Sequence, residues 1–155
     1  MDQADSSGPG DRRPPWHSPA PRMKFIEVSA GLVFRDGRLL ITQRPAGGHL
    51  AGLWEFPGGK REPGESFEDC LRRELREELA IEVEVHELVE SIDHDYPEKS
   101  VHLRFFRCAW KAHEPQALGC AGFQWVTAVE LPRHAFPPAD EKLLARLARE
   151  ESFWK

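Results

Sequence analysis

The stretch "GKREPGESFEDCLRRELREELAI", Gly59 to Ile81, decides the fold of this chain. It leaves a segment rich in glycine and proline, passes Ser66, and enters a run with apolar residues at helical spacing, namely Phe67, Cys70, Leu71, Leu75 and Leu79. Ser66 is a typical N-cap residue, and Asp69 follows three residues later in a capping-box-like position. The pattern therefore predicts a helix over about residues 67–80.

Three glutamates of this helix, Glu74, Glu77 and Glu78, are spaced i, i+3 and i+4. That spacing stacks them on one helix face, where like charges repel, and a cation would offset the repulsion. A purely solvated charged face is the alternative for this run taken alone. The glycines before the helix let backbone groups approach closely, and oxygen ligands favour Mg²⁺ or Mn²⁺. Together they favour metal-assisted chemistry on a phosphate compound.

The same stretch resembles the signature box of the Nudix hydrolases, G-x5-E-x7-R-E-U-x-E-E-x-G-U, where U is a bulky aliphatic residue. The matching positions are Gly59, Glu65, Arg73, Glu74, Leu75, Glu77, Glu78 and Ile81. Ala80 departs from the box, which has glycine where the helix ends. We expect an altered helix end there, costing about 1 kcal/mol if φ is positive, without loss of the chemistry.

The resemblance extends over about residues 25–149 and is closest to the MutT-type branch of the family. It implies an α/β/α sandwich with a mixed β-sheet. It also implies Mg²⁺- or Mn²⁺-dependent hydrolysis of nucleoside triphosphates to monophosphate and pyrophosphate. Oxidised or modified nucleotides such as 8-oxo-dGTP are the expected substrates, in nucleotide-pool sanitation linked to DNA repair. Two alternatives are hydrolysis of a nucleotide sugar or dinucleotide, and a nucleotide-sensing module without activity.

The resemblance also implies roles for individual residues. Glu74 matches the general base or a metal ligand, and Glu77, Glu78 and the carbonyl of Gly58 match metal ligands. Arg73 and Glu65 match residues that orient the catalytic helix and loop. The positions that match substrate contacts are Arg44, His49, Glu55, Phe56, Pro57 and Lys99.

Two further positions depart from the branch. MutT-type enzymes often have another metal-binding glutamate before the strand that contains the tryptophan, but no acid lies between Glu114 and Glu130 here. Either Glu114 substitutes for it or one metal site is weaker.

Asp140 stands where the 8-oxo-dGTP branch has an asparagine that reads the base. An ionised aspartate only accepts hydrogen bonds, so it favours a donor such as the cytosine amino group or the N7–H of 8-oxoguanine. Alternatively, Asp140 only caps the last helix.

The rest of the chain predicts a layered α/β domain. A hairpin turns at Asp36-Gly37, and a long loop covers residues 45–65. Strands are expected at 81–92, 100–110 and 123–127, with a polar loop at 93–99 and a last helix around 141–150. Residues 1–22 are rich in Pro, Gly, Ser and charge and are interpreted as a disordered tail, which leaves 23–155 as the domain.

Composition narrows the partners. The formal net charge of −5 disfavours a polymer nucleic-acid binder, so we expect a small nucleotide partner and a monomer or homodimer. No apolar run is long enough to span a membrane. The three widely spaced cysteines are interpreted as free thiols in the cytoplasm.

Overall fold

The computed structural model describes residues 24–48 and 50–155. The tail predicted at residues 1–22 lies outside them. Within the described part, seven strands form one sheet, joined by two α-helices and three short 3₁₀ turns. The strands are β1 (Lys24–Arg35), β2 (Arg38–Gln43), β3 (Trp54–Glu55), β4 (Gly58–Lys60), β5 (Glu82–Asp95), β6 (Lys99–Ala112) and β7 (Gly122–Val126).

The sheet is mixed. Its main order is β3-β2-β1-β6-β5, with β4 paired to β1 and β7 paired to β2. Only β1 and β6 run parallel among these pairs, and the others are antiparallel. Strand β4 pairs Gly58 with Ala30 and Gly59 with Ser29. This pairing holds the end of the glycine loop against the centre of the sheet.

Helix α1 (Phe67–Leu79) covers one face of the sheet. Ser66 caps it as predicted, since its hydroxyl oxygen accepts from the Asp69 amide at 3.0 Å. The apolar stripe of α1 is buried against Val33, Leu40 and Phe106. Because this stripe faces the sheet, the glutamates of α1 lie on its other side, towards the glycine loop.

Helix α2 (Glu141–Arg149) covers the opposite face. Leu143 and Leu147 are buried there with Leu32, Leu39 and Ile41. The adjacent side chains Leu39 and Leu40 thus enter two different cores, as alternation along a strand requires. The predicted α/β/α sandwich with a mixed sheet is confirmed.

Three local predictions need correction. The segment 45–65 is not one open loop, because β3 and β4 form within it. The polar loop at 93–99 is shorter, because β5 continues through Asp95 and β6 begins at Lys99. The helix end is also not altered. Ala80 adopts the left-handed conformation with φ 60°, and its amide bonds to the Arg76 carbonyl oxygen.

Candidate active site

A cavity of about 1170 Å³ opens on the α2 face of the sheet. Its floor is formed by alternate residues of β1 and β6, including Ala30, Leu103 and Phe105. One wall comes from the glycine loop, the other from the β5–β6 turn, and one end from the segment before α2. Strand pairing and the packing of the segment before α2 together bring parts of the chain that are more than a hundred residues apart into one cavity.

Arg73 is the centre of an ion-pair network next to Lys60, which lines the cavity. Its guanidinium donates to both carboxylate oxygens of Glu65, at 2.7 and 3.1 Å, and to the Lys60 carbonyl at 3.0 Å. It also donates to Glu74 at 3.0 Å and to Glu77 at 3.2 Å. Hydrogen bonds from Arg73 and from the Glu62 amide lower the pKa of Glu65 to about 2. Arg73 therefore ties α1 to the loop that precedes it.

Two glycines place the carboxylates of α1 against the cavity wall. The Gly58 amide donates to Glu78 at 3.3 Å. At Gly59, a Cβ atom would lie 2.2 Å from the Glu74 carboxylate carbon. Only glycine leaves that space free. Gly58 and Gly59 line the cavity, and Glu78 and Glu74 lie directly behind these two glycines.

Glu78 has an unusual environment for a carboxylate. Burial raises its pKa to about 7, and the nearby charges of Glu55 and Glu74 act in the same direction. By contrast, Glu77 remains 62% exposed. A buried carboxylate near two others is costly to ionise unless a cation neutralises the group.

The donor set fits a hard divalent cation. The candidate ligands are the carboxylates of Glu74, Glu77 and Glu78 and the Gly58 carbonyl, all oxygen donors. No three His, Cys, Asp or Glu side chains of residues 24–48 and 50–155 already converge as a metal cage. The reason is visible in the contacts: Glu74 and Glu77 bond to Arg73, while Glu78 bonds to Gly58.

Glu55 lies between the metal-ligand candidates and the far end of the cavity. Arg44 donates to its carboxylate at 3.0 Å. Burial still raises the pKa of Glu55, against the opposing effect of Arg44. Both residues line the cavity, as do the predicted substrate residues Phe56 and Lys99.

Asp140 closes the other end of the cavity. It is 7% exposed. Burial raises its pKa to about 6, with a further contribution from Glu55. Its side chain makes no capping hydrogen bond to α2, so the helix-capping alternative is not supported. A buried carboxyl without such a bond retains its accepting capacity for a ligand.

One predicted substrate contact, Pro57, is placed differently, and another, His49, is not described. Pro57 is buried and does not line the cavity, while its carbonyl accepts from the Gly31 amide at 2.8 Å. His49 lies outside the described residues.

Sequence reasoning missed part of the wall. His94, Tyr96, Pro97 and Leu50 all line the cavity. The His94 and Tyr96 rings meet edge to face at 4.5 Å, and Lys99 lies 5.3 Å from the centre of the Tyr96 ring. The sequence signal that could have indicated this wall is Tyr96, an aromatic residue in the turn directly before a strand. In that strand the apolar residues Val101, Leu103 and Phe105 alternate with polar ones.

Glu114, the candidate for the missing acid, lies near the end of β1 that is remote from the glycine loop. It pairs with Arg35 at 2.9 Å, and Arg35 lies five residues beyond Ala30, the β1 partner of Gly58. The loop before β7 instead packs on the end of α1, where the Gly119 amide donates to the Glu78 carbonyl at 3.1 Å. A Cβ at Gly119 would lie 3.4 Å from the Glu78 Cα atom.

The glycine loop thus separates a cavity in a mixed sheet from a helix with three clustered carboxylates, an arrangement suited to metal-assisted chemistry on a phosphate compound. The family model described as NUDIX domain matches residues 29–146. The chain belongs to this family, whose hydrolases are generally dependent on divalent metals.

Known relatives and solved structures are consistent with this family assignment. The chain is 45% identical over 127 residues to the CTP pyrophosphohydrolase of Escherichia coli, covering 79% of this chain and 90% of that protein. It is 34% identical over 128 residues to the E. coli 8-oxo-dGTP diphosphatase, covering 82% and 99%. The solution structure of the E. coli ORF135 protein has a TM-score of 0.69 at 41% identity, covering 82% and 94%. A MutT structure from work on Aliivibrio salmonicida and Vibrio cholerae has a TM-score of 0.67 at 32% identity, covering 81% and 98%.

Two general predictions are also resolved. Cys70, Cys108 and Cys120 are free, as expected. Neither helix of the described part is long and apolar enough to cross a membrane.

Proposed function

We propose that this protein hydrolyses nucleoside triphosphates to nucleoside monophosphate and pyrophosphate, with Mg²⁺ or Mn²⁺. The observation that carries the proposal is the arrangement of one cavity. Gly58 and Gly59 line one edge of it with Glu74 and Glu78 directly behind them, and the buried Asp140 closes the other end. The first group suits a phosphate chain and the second suits a base. The names of the relatives support this reading.

The chain's own residues would have separate roles in this reaction. Glu74, Glu77, Glu78 and the Gly58 carbonyl would hold the cation, which neutralises charge on the phosphate oxygens. Glu74 would also take a proton from the attacking water. Arg73 would keep Glu74 and Glu77 in place through the bonds described above.

The substrate would lie along the cavity. Arg44 and Lys99 would contact its phosphates as cations, with Phe56 packing against the nucleoside and Glu55 beside the sugar. Asp140, when ionised, offers only acceptors. The preferred base should therefore present a donor, as cytosine does through its amino group and 8-oxoguanine through N7–H. Removal of such nucleotides would serve nucleotide-pool sanitation, in a reducing cytoplasm where the three free thiols persist.

The decisive experiment is a substrate panel with Mg²⁺. CTP, dCTP, 8-oxo-dGTP, GTP, a nucleotide sugar and a dinucleotide are compared, and pyrophosphate is scored against phosphate. We expect pyrophosphate from a triphosphate, with CTP-type or 8-oxoguanine substrates ahead of GTP. Turnover of only the nucleotide sugar or dinucleotide would overturn the proposal. Thermal stabilisation by nucleotides without any turnover would favour a sensor.

Asp140→Asn separates base reading from catalysis. Asparagine both donates and accepts. The variant should therefore keep its turnover of the best substrate within about tenfold, while the differences in kcat/KM among the bases become smaller or change their order. Lys142→Gln, on the exposed surface of α2, is the matched control and should leave the preference unchanged. An unchanged preference in Asp140→Asn would remove Asp140 from the base site.

A further inference from the structure

Arg107 is a half-buried cation without a counter-ion in the described part of the chain. Its guanidinium forms no hydrogen bond or ion pair there and only faces two rings, 5.6 Å from the centre of Phe34 and 5.8 Å from that of Phe153. Every other half-buried arginine among residues 24–48 and 50–155 pairs with a carboxylate: Arg35, Arg44, Arg61, Arg72, Arg73, Arg104 and Arg146. Arg107 is therefore the exception.

Ring contacts alone do not satisfy this group. A cation over an aromatic ring gains electrostatic attraction, but a guanidinium also has five N–H donors arranged as a planar fork. Partly removing these donors from water without acceptors is unfavourable. An anion with two oxygens would match the fork.

Arg107 lines a second cavity, of about 400 Å³. This volume lies within the range of about 300–1,000 Å³ that is usual for small-molecule sites. Aromatic side chains form much of the wall: Phe34 stacks parallel to Phe153 at 6.4 Å and meets Trp154 edge to face at 5.4 Å. Asp36 is the one acidic side chain on the wall among the described residues, and Arg107, Lys155 and Arg35, the last paired with Glu114, also line it.

This cavity is separate from the candidate active site, since the two share no lining residue. On β1 the active-site cavity uses Val28 and Ala30, and the second begins at Phe34. Four residues of strand correspond to about 13 Å. The second cavity therefore lies at the other end of the same two strands.

We propose that the cavity around Arg107 binds a small organic anion, whose phosphate or carboxylate group pairs with Arg107 while its apolar or aromatic body packs on Phe34 and Trp154. The fork of Arg107 gives the charge complementarity, and the ring wall gives the preference for an organic body over a bare ion. This site is independent of the proposed hydrolysis, because none of its residues contacts the candidate catalytic groups.

The test is an amide NMR titration of the full chain without divalent metal, using phenyl phosphate, benzoate and inorganic phosphate as probes. We expect phenyl phosphate or benzoate to shift the amides of residues 34–37 and 107–109, and the tighter of the two identifies the head group. Inorganic phosphate should bind at least about tenfold more weakly. No shift at these amides up to millimolar probe, or equal binding of inorganic phosphate, would overturn the proposal.

Substitutions locate the site. Arg107→Gln should weaken binding by at least about tenfold, the scale of one charge-assisted contact. Arg107→Lys keeps the charge but lacks the planar fork of donors, so its affinity should lie between those of the unaltered chain and Arg107→Gln. It serves as the test if Arg107→Gln does not fold. Arg149→Gln removes an exposed charge from α2 and should bind like the unaltered chain. Unchanged binding in both Arg107 variants would refute the assignment. Because binding is measured without turnover, failure here is distinct from failure of the proposed hydrolysis.

Discussion

Replacing Asp140 by asparagine should make the protein more stable, and more so as pH rises. Asp140 is 7% exposed, and burial is the main reason that its pKa rises from 3.8 to about 6. A difference of about two pKa units at about 1.36 kcal/mol each corresponds to about 3 kcal/mol. This is the destabilisation that the ionised side chain causes at pH 8, and asparagine, being neutral, does not cause it.

The pH dependence of this stability difference follows from the direction in which the pKa of Asp140 is shifted. A raised pKa in the folded state means that the stabilisation linked to the protonated carboxyl is fully present below about pH 3.8. It is lost as pH rises through about 6. The advantage of Asp140→Asn should therefore be about 3 kcal/mol at pH 8, roughly half of that at pH 5, and nearly nil close to pH 3.5.

Urea unfolding of both proteins at pH 8 and pH 5 measures this difference. The midpoint should move to higher urea without a change in slope, since a changed slope would indicate altered compactness. Asp36→Asn, at an exposed turn, is the matched control and should leave stability within about 0.5 kcal/mol at both pH values. An equal gain of Asp140→Asn at pH 5 and pH 8, or no gain at pH 8, would refute the reasoning.

Four other substitutions test the loop and the helix. Gly58→Ala places a Cβ 1.9 Å from the Ser29 carbonyl oxygen. The strands must shift, and calorimetry should show a loss of about 1–3 kcal/mol. Gly59→Ala displaces only the flexible Glu74 carboxylate, so the melting temperature should hold while turnover falls at least about tenfold; normal turnover would contradict this. Glu74→Gln should lower turnover by orders of magnitude at an unchanged melting temperature, and near-normal activity would remove its catalytic role. Ala80→Gly relieves a positive φ of 60° and should add about 1 kcal/mol, seen as a melting temperature higher by about 2–4 °C.

The sequence was most informative where structure depends on neighbours along the chain. The stripe that contains Leu71 and Leu75 repeats at helical spacing, and Ser66 supplies its own cap. The position of α1 could therefore be predicted to within a residue. The hairpin at Asp36-Gly37 is local in the same sense.

The remaining features depend on contacts that no local pattern encodes. Strands β3 and β4 are only two and three residues long, and they form because β1 and β2 offer free edges. The extension of β5 to Asp95 is likewise stabilised across the sheet, where Asp93 accepts from Arg104 at 3.2 Å. Residue types alone predict loops at β3–β4 and at the end of β5, because glycine and charged residues dominate these two segments.

The environment of Asp140 also depends on such contacts. Its sequence context fits a helix cap, and a cap exposed to water would keep an ordinary acidity. In the fold, Glu55 acts on both Asp140 and Glu78, raising the pKa of each after burial. The proposed base end and phosphate end of the cavity are thus electrostatically linked through the Glu55 carboxylate, whose pKa stays raised despite the opposing effect of Arg44. Under the proposed mode of binding, a nucleotide would meet both ends at once, so a change at Asp140 would act chiefly on base preference and only weakly, through Glu55, on the phosphate end.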